Sequence, residues 1–544
     1  MKVKDLIIRG MLLFSERKAI TTLWQELAEN FYPQRADFTI NRYIGEEFAE
    51  HLYSSYPIIV HRDLSTSFAA MLRPRSKPWF EISVDEDLKI GHESKQWLQW
   101  ASKVQRKAMY DRKALFIRAT TEGDADFALT GQCCISREIN YDTRTPHLLY
   151  RCWHLRDVCW SEKQDGAIGE IYVKWKPTIK QLKEKKGYKL HHNIEKRTLA
   201  DNLSKVDCMR LIVSTDIYEG QSGQGKGYPW MVVFIDVQNQ HIMNEYAVMS
   251  HGFTLPRWQT VSGSQYAYSP AAVAGLPDAR LLQAMSLTLL EAGEMSVRPP
   301  MIATTEAVRG DVQVFSGGIT WADHDYDERR GEVLRPLTQD RAGLPRGYEV
   351  RDHQMAMLAE AFYINKLTLP PSENVGDMTA YETGQRVEEY VRAALPLFEP
   401  MEHDYNGQIC EDTFDGLLRA GAFGAPSDMP REIQGKDIHF KFVSPLHDMI
   451  EREEAATFLE SGDLIERALA FEPSAGVVYN TTAALATVLE GIGVEARHLR
   501  TDDEIQSILA ENAEMARQEE AVELAKGGAQ AARDGAQAEA VMAA

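Results

Sequence analysis

The chain has few cysteines, no surplus of basic residues and no long apolar run, and each shortage removes a class of protein. Six cysteines occur in 544 residues. Cys133 and Cys134 are adjacent, Cys152 and Cys159 lie seven apart, and Cys208 and Cys410 stand alone. That is no disulfide framework, and no C-x-x-C pair announces zinc. Free, mostly buried thiols in a reducing compartment are expected. Lys and Arg number 60 against 80 Asp and Glu, for a formal charge of −20. Proteins that grip nucleic acid through its phosphates are locally basic. A repressor or nuclease therefore fits badly. A channel through which DNA slides remains open, with any contact fleeting, confined to small basic patches, or a matter of enclosure. The apolar run of residues 1–9 is too short for a signal peptide. The longest elsewhere, 231–237, is strand-sized and broken by Asp236. Nothing approaches the roughly 20 apolar residues of a membrane span, so a soluble protein made in the cytoplasm is expected, with no membrane partner.

Catalytic signatures are also lacking. Gly220-Gln221-Ser222-Gly223-Gln224-Gly225-Lys226-Gly227 satisfies G-x-x-x-x-G-K but offers Gly227 where Ser or Thr must meet Mg²⁺. The residues behind it read as a strand, whereas a phosphate loop needs a helix N-terminus to present its N–H groups. A hairpin turn is the expectation. Asp85-Glu86-Asp87 with Gly91 misplaces the glycine of a calcium loop and puts Gln96 at its twelfth position. His191-His192 has no ligand partner nearby in sequence and reads as an exposed loop in a Lys-rich stretch. His403-Asp404 and His447-Asp448 are helix neighbours, which do not face one another. No H-E-x-x-H or G-x-S-x-G occurs. No cofactor, metal or catalytic residue is implied, and the chain does not read as an enzyme.

What is present is an α+β chain, predominantly helical. Leu13, Arg17, Ile20, Trp24, Leu27 and Phe31 recur at helical spacing, with Arg17 the one polar exception, and Pro33 closes the segment. A second helical stretch covers 45–72, with Phe48, Leu52, Ile59, Phe68 and Met71 as core positions and Pro57 starting a new segment within it. Strands are expected at 79–84, 135–139, 168–175, 210–218 and 230–237, and helices over 93–111 and on to 128. Antiparallel pairing fits this region. A helix over 278–297 ends at Arg298-Pro299-Pro300, because a residue before proline is biased out of the helical region. Short strands at 312–315 and 319–321 follow. A second helix begins with Asp352 as N-cap and stops before Pro370-Pro371. The unit is helix, small β insert, helix. Beyond it Val387, Val391, Leu395, Phe398, Met401, Tyr405 and Ile409 mark a long register kinked by Pro396 and Pro400. The chain from Pro445 on is helical and acidic, and it ends in an Ala-rich tail expected to be frayed.

Four segments carry a resemblance. Arg73-Pro74-Arg75-Ser76-Lys77-Pro78-Trp79-Phe80 joins a helix to a strand. Gly131-Gln132-Cys133-Cys134-Ile135-Ser136-Arg137-Glu138 opens another strand. Met378-Thr379-Ala380-Tyr381-Glu382-Thr383-Gly384-Gln385-Arg386 starts the long register, and Phe442-Val443-Ser444-Pro445-Leu446 leads into the C-terminal part. In type and order these resemble the portal (head-to-tail connector) family of short-tailed, podovirus-like phages. The resemblance implies a ring, usually of twelve subunits, with wing, stem, clip and crown around a central channel. It would make 1–277 the wing, 278–297 and 352–369 the stem helices, 298–351 the clip, and 370–380 a tunnel loop. Residues 381–444 would be a long kinked helix and wing return, 445–520 a helical crown, and 521–544 a disordered tail.

The implied function is a channel at one capsid vertex for packaging and ejecting double-stranded viral DNA. The implied partners are terminase, scaffolding protein, major capsid protein and a tail adaptor, in the host cytoplasm during assembly and then in the virion. Channel candidates are Arg346, Arg351 and Lys366, suited either to phosphate or to pairing with acidic residues of a neighbouring subunit, with Glu373, Asn374 and Asp377 in the tunnel loop, where the carboxylates favour steric fit or subunit contacts. Arg298, Trp321, Arg329 and Arg330 are candidates for docking the tail adaptor, with intersubunit salt bridges the alternative for Arg329 and Arg330. Another structural virion protein, such as a capsid or internal core protein, is an alternative. A DNA-packaging enzyme subunit is another, and it would need an intact phosphate loop or convergent carboxylates.

Overall fold

The computed structural model describes residues 2–84 and 91–297, apart from single positions and the stretch 142–145; then 301–303, 334–336, 343–364 and 401–442; and scattered positions from 462 to 518. The chain divides into two units. The first comprises Met1–Phe80, Val104–Phe423 and Phe442–Leu446; the second comprises Glu81–Lys103, Gly424–Lys441 and the chain from His447.

The elements of the first half are α1 (Val3–Glu16), α2 (Lys18–Phe31), α3 (Tyr56–Leu72), β1 (Phe80–Val84), α4 (His92–Met109), α5 (Phe116–Thr130), β2 (Ile135–Asn140), β3 (His147–Cys152), β4 (Val158–Glu162) and β5 (Ile168–Trp175). Then come α6 (Ile179–Glu184), α7 (His192–Glu195), β6 (Cys208–Ser214), β7 (Trp230–Asp236), β8 (His241–Val248), β9 (Phe253–Thr254), α8 (Leu276–Val297), β10 (Met301–Ala303), β11 (Leu334–Pro336), α9 (Gly343–Ala361), α10 (Gln408–Arg419) and β12 (Ile438–Phe442).

Strands β4 to β8 form an antiparallel five-stranded meander in sequence order. Side chains alternate across a strand, so Met209, Leu211 and Val213 of β6 share a face with Met231, Val233 and Ile235 of β7, and Leu6 and Ile7 of α1 pack there. Gly10 permits the close approach: a Cβ there would lie 2.6 Å from the Tyr172 ring. On the opposite face Arg210 is buried, paired with Glu138 of β2, and its guanidinium lies 5.0 Å from the Phe253 ring. β2 is the middle strand of a three-stranded sheet, β3-β2-β9.

The polar exception in the first helical register proves to be a break. α1 ends and α2 begins at Arg17, whose side chain is buried and donates to the carbonyls of Leu155 (2.7 Å), Arg156 and Val158. A guanidinium carries five donors in a fixed fork, and here it bonds the short 3-10 turn Leu155–Asp157 and the first residue of β4. Pro57 does start a helix, but 45–55 is not helical, and α3 buries Val60, Leu64, Phe68 and Leu72. Of the five core positions expected there, only Phe68 is buried; Phe48 and Ile59 are exposed.

Helix α5 is the hub of the helical part. Asp124 and Asp126, two residues apart on a buried turn, each hold an arginine. Asp126 takes Arg35 in a two-pronged pair at 3.0 and 2.6 Å. Asp124 takes Arg73, which also donates to Asn406 at 2.9 Å and lies 4.7 Å from the Tyr405 ring. Burial works against the Arg73 charge, but the adjoining Asp124 carboxylate outweighs it and holds the guanidinium protonated. Gly131 closes α5 with a left-handed φ of 81°, and a Cβ there would lie 2.4 Å from the Tyr268 carbonyl carbon. Trp79 stacks on Phe442 at 6.4 Å, so two of the segments that carry the family resemblance meet.

In the second unit β1 pairs with β12. The Glu432 carboxylate accepts from the Gly91 N–H (2.9 Å) and the Ser94 hydroxyl (2.7 Å) at the start of α4. These bonds hold its carboxyl below the ordinary value. Residues 81–103, grouped from sequence with all of 1–277, thus belong with 424–441.

All six thiols are free, and five are buried. Burial pushes Cys159 and Cys208 up to about 12. Residues 220–227 lie in the β6–β7 connection, with left-handed glycines at 220, 223 and 227 and a strand behind them, as expected for a hairpin. No helix among the described residues is long and apolar enough to cross a membrane.

Replacing Asp124 by Ala strands a buried guanidinium, and a loss of about 3–5 kcal/mol is expected from urea unfolding. The double replacement Arg73→Met, Asp124→Leu removes both charges and should recover more than half of that loss.

Candidate functional site: a two-helix hairpin and its anchored base

α8 and α9 pack against each other with β10 and β11 paired between them, Met301 opposite Pro336 and Ala303 opposite Leu334. Gly347 in the first turns of α9 lies against Leu289 near the end of α8, and Gly275 ahead of α8 lies against Phe362 after α9, so the helices run antiparallel. At 1.5 Å per residue they are about 33 and 28 Å long. The helix–insert–helix unit read from sequence is present, with two corrections to its second helix: it ends at Ala361, with Tyr363 left-handed behind it, and not at 369, and it begins earlier than Asp352. α9 starts at Gly343 with Pro345 in its first turn, where the missing N–H costs nothing. Asp352 therefore lies inside the helix and is no cap.

Only the base of the hairpin is buried. α8 contributes Leu276, Ala279, Leu282 and Gln283, and α9 contributes Leu358 and Ala359, followed by Phe362. Farther out the side chains are half-buried or exposed, many of them apolar: Leu290 is 54% and Val297 81% exposed, and Met295, Tyr348 and Val350 are exposed as well. Exposed apolar side chains grouped on one element mark an interaction surface. Charges on the pair are mostly acidic, with six carboxylates against Arg280, Arg346 and Arg351.

Three devices fix the base. Arg280 pairs with Glu26 of α2. The Gln283 amide oxygen accepts from Tyr53 N–H (2.8 Å) and Ser54 N–H (2.9 Å), while its amide nitrogen donates to the Ser54 carbonyl (2.9 Å). A π-turn, Ala271–Gly275, precedes α8, and Tyr363 after α9 has a left-handed φ of 59°. Gln25 performs the same task at the other end of the same segment: its amide oxygen accepts from Phe38 N–H (2.7 Å) and Thr39 N–H (3.1 Å). Residues 40–52 thus form an arm between two glutamine clamps, and it carries exposed Ile40, Tyr43 and Phe48. No sequence motif marks either glutamine, since each bonds main chain that any residue supplies.

Of the channel candidates, Arg346 and Arg351 lie on the outer part of α9. Arg351 bonds the adjacent Asp352 carboxylate at 2.9 Å and lies 5.0 Å from the Tyr348 ring. Arg346 is exposed and makes no ion pair among the described residues. Lys366, Glu373, Asn374, Asp377, Arg298, Trp321, Arg329 and Arg330 lie outside the described residues, as do Asp85–Asp87, His447-Asp448 and the strands expected at 312–315 and 319–321. The long register is visible from Met401, where a π-segment, Glu402–Gly407, leads into α10 with Met401, Tyr405 and Ile409 buried. His191 has a neighbour that the sequence did not reveal: its ring lies 5.6 Å from that of His241. Among the described residues no three metal-type ligands come together.

A helical hairpin with an unburied apolar outer part, mounted on an α+β body, presents an interaction surface. The chain belongs to the bacteriophage head to tail connecting protein family, whose profile matches residues 6–499. It is similar to the probable portal protein of Bordetella phage BPP-1, 21% identical over 462 residues, 81% of this chain and 79% of that protein. It is also similar to the portal protein of Salmonella phage epsilon15, 18% identical over 539 residues, 96% and 93% of the two. The chain is a portal, or connector, subunit with a structural role in the virion.

Replacing Gln283 by Leu keeps the volume and removes three hydrogen bonds. Hydrogen exchange at the Tyr53 and Ser54 amides should then rise about 10- to 100-fold, on the scale of one or two net bonds, with exchange at Phe38 unchanged.

Proposed function

We propose that copies of this chain, twelve to a ring, close around a channel at one capsid vertex, through which double-stranded viral DNA is packaged and later ejected. The observation that carries this reading is the hairpin, whose outer turns expose Leu290, Met295, Val297, Tyr348 and Val350 in the isolated chain. A head-to-tail ring needs two different complementary faces on each subunit, and burying such side chains against the next copy supplies the large apolar contact of an obligate assembly. In this reading α8 and α9 are the stem, with α9 extended back to Gly343. The residues between them are the clip, 370–380 the tunnel loop, 1–277 the wing, 381–444 the wing return, 445–520 the crown and 521–544 its tail.

DNA carries dense charge with condensed counterions. A stem with six carboxylates and three arginines offers it no deep well, so it slides. Arg346, which makes no ion pair among the described residues, biases its path more than Arg351, whose charge is answered by Asp352. Lys366, Glu373, Asn374 and Asp377 face the channel beyond, the carboxylates acting by steric fit and subunit contact. The ring docks the terminase motor first and the tail adaptor afterwards, the latter through Arg298, Trp321, Arg329 and Arg330 of the clip. Scaffolding and major capsid proteins contact the ring during assembly in the host cytoplasm. The subunit performs no catalysis and needs no cofactor.

Negative-stain microscopy of the purified chain should show rings with a central hole wide enough for duplex DNA, and a persistent monomer with ATPase or nuclease activity would overturn the reading. The pair Leu290→Asp, Met295→Asp should abolish the rings, read by native mass spectrometry, while leaving the circular dichroism spectrum unchanged.

A further inference from the structure

The β5–β6 connection has a charge opposite to that of the chain. Between Lys174 and Asp207 the sequence holds ten Lys or Arg against four carboxylates, in a protein of net charge −20. The segment folds as one small cap. Ile179, Leu182 and Ile194 are buried beneath α6 and α7. Its two ends are joined by bonds from Ile179 N–H to the Ser204 carbonyl (3.1 Å) and from Val206 N–H to the Pro177 carbonyl (2.9 Å). Lys183 crosses it to Asn202 at 3.1 Å. The described cations from Lys176 to Lys205 therefore belong to one folded element, while Lys174 lies against the Phe14 ring of α1.

Few of them are answered. Lys176 pairs with Asp207 at 3.0 Å and Lys180 with Glu184 at 3.9 Å. Lys189, Lys196 and Lys205 are exposed and form no ion pair among the described residues. Their chemistry points to a polyanion. Protein interfaces are depleted in Lys and enriched in aromatic residues, Met and Arg, yet nine of these ten cations are Lys. Among the described residues of the cap, the one exposed large apolar side chain is Leu203. Flexible ammonium groups without apolar anchors suit sequence-independent contact with a phosphate backbone.

We propose that this cap binds the phosphate backbone of duplex DNA on the body of the subunit, apart from the channel. The inference rests on the portal reading for the presence of DNA beside the particle's connector, and on the cap alone for the contact.

The test uses covalently closed circular duplex DNA, which has no end to thread through a channel, with the full-length chain in its assembled state. Binding is measured by filter retention across 50–200 mM salt for the native chain and for K185E/K189E/K196E/K205E. The native chain should bind circles with a steep salt dependence. The variant, with an unchanged melting temperature, should bind more than about tenfold more weakly at 100 mM, with a log–log slope shallower by about 3–4, near one per lost phosphate contact. Equal binding by the variant overturns the proposal. So does tighter binding of polyglutamate than of DNA at matched charge, which would assign the cap to an acidic protein. Rings are imaged on the same samples as a separate readout, so the cap is judged on circle binding whether or not rings form.

Discussion

The helical part of the first unit depends on two carboxylates set two residues apart on one buried turn. Asp124 holds Arg73 in the core and Asp126 holds the half-buried Arg35, and each arginine stands at the end of a helical stretch. Charges in a low-dielectric interior are tolerated only when paired and hydrogen-bonded, so placing one partner dictates the other. Arg73 also reaches Asn406. That bond ties the turn after α3 to the π-segment that feeds α10, far along the chain. The aromatic stack of Phe127 on Trp258 at 5.3 Å closes over the same place.

Much of this organisation is legible in the sequence, for a reason that the buried turn explains. The segments that resemble the connector family at 73–80 and 131–138 contribute Arg73, Trp79 and the obligate Gly131, residues whose type is fixed by burial, stacking and a left-handed backbone. Strand positions were readable because β5 to β7 are apolar runs with turn residues between them. The helix–insert–helix unit was readable because Arg298-Pro299-Pro300 ends its first helix.

Other features follow contacts that composition cannot encode. Arg17 reads as a blemish in one helix until its three carbonyl acceptors, more than a hundred residues away, are known. The register of α3 is set by what covers Val60 and Leu64, and neighbouring Ile59 and Met71 are equally apolar in sequence. Asp352 looks like a cap because capping residues are common, but a helix can begin on Gly343-Leu344-Pro345 without one. The two glutamine clamps act on main chain and leave no side-chain pattern. The Lys-rich stretch was visible as composition, but its folding into a single cationic cap was not.

The π-turn at Ala271–Gly275 bears on the stem in a further way. Such a turn accommodates an extra residue within a helix, and each residue turns a helix by roughly 100°. The turn therefore acts as a phase setting. It determines which side of α8 carries Gln283 toward the body; Leu290, seven residues on, lies on that same side but two turns farther out, where it is exposed. A chain one residue shorter here would keep every side chain of the helical hairpin and turn a different side of α8 toward the body.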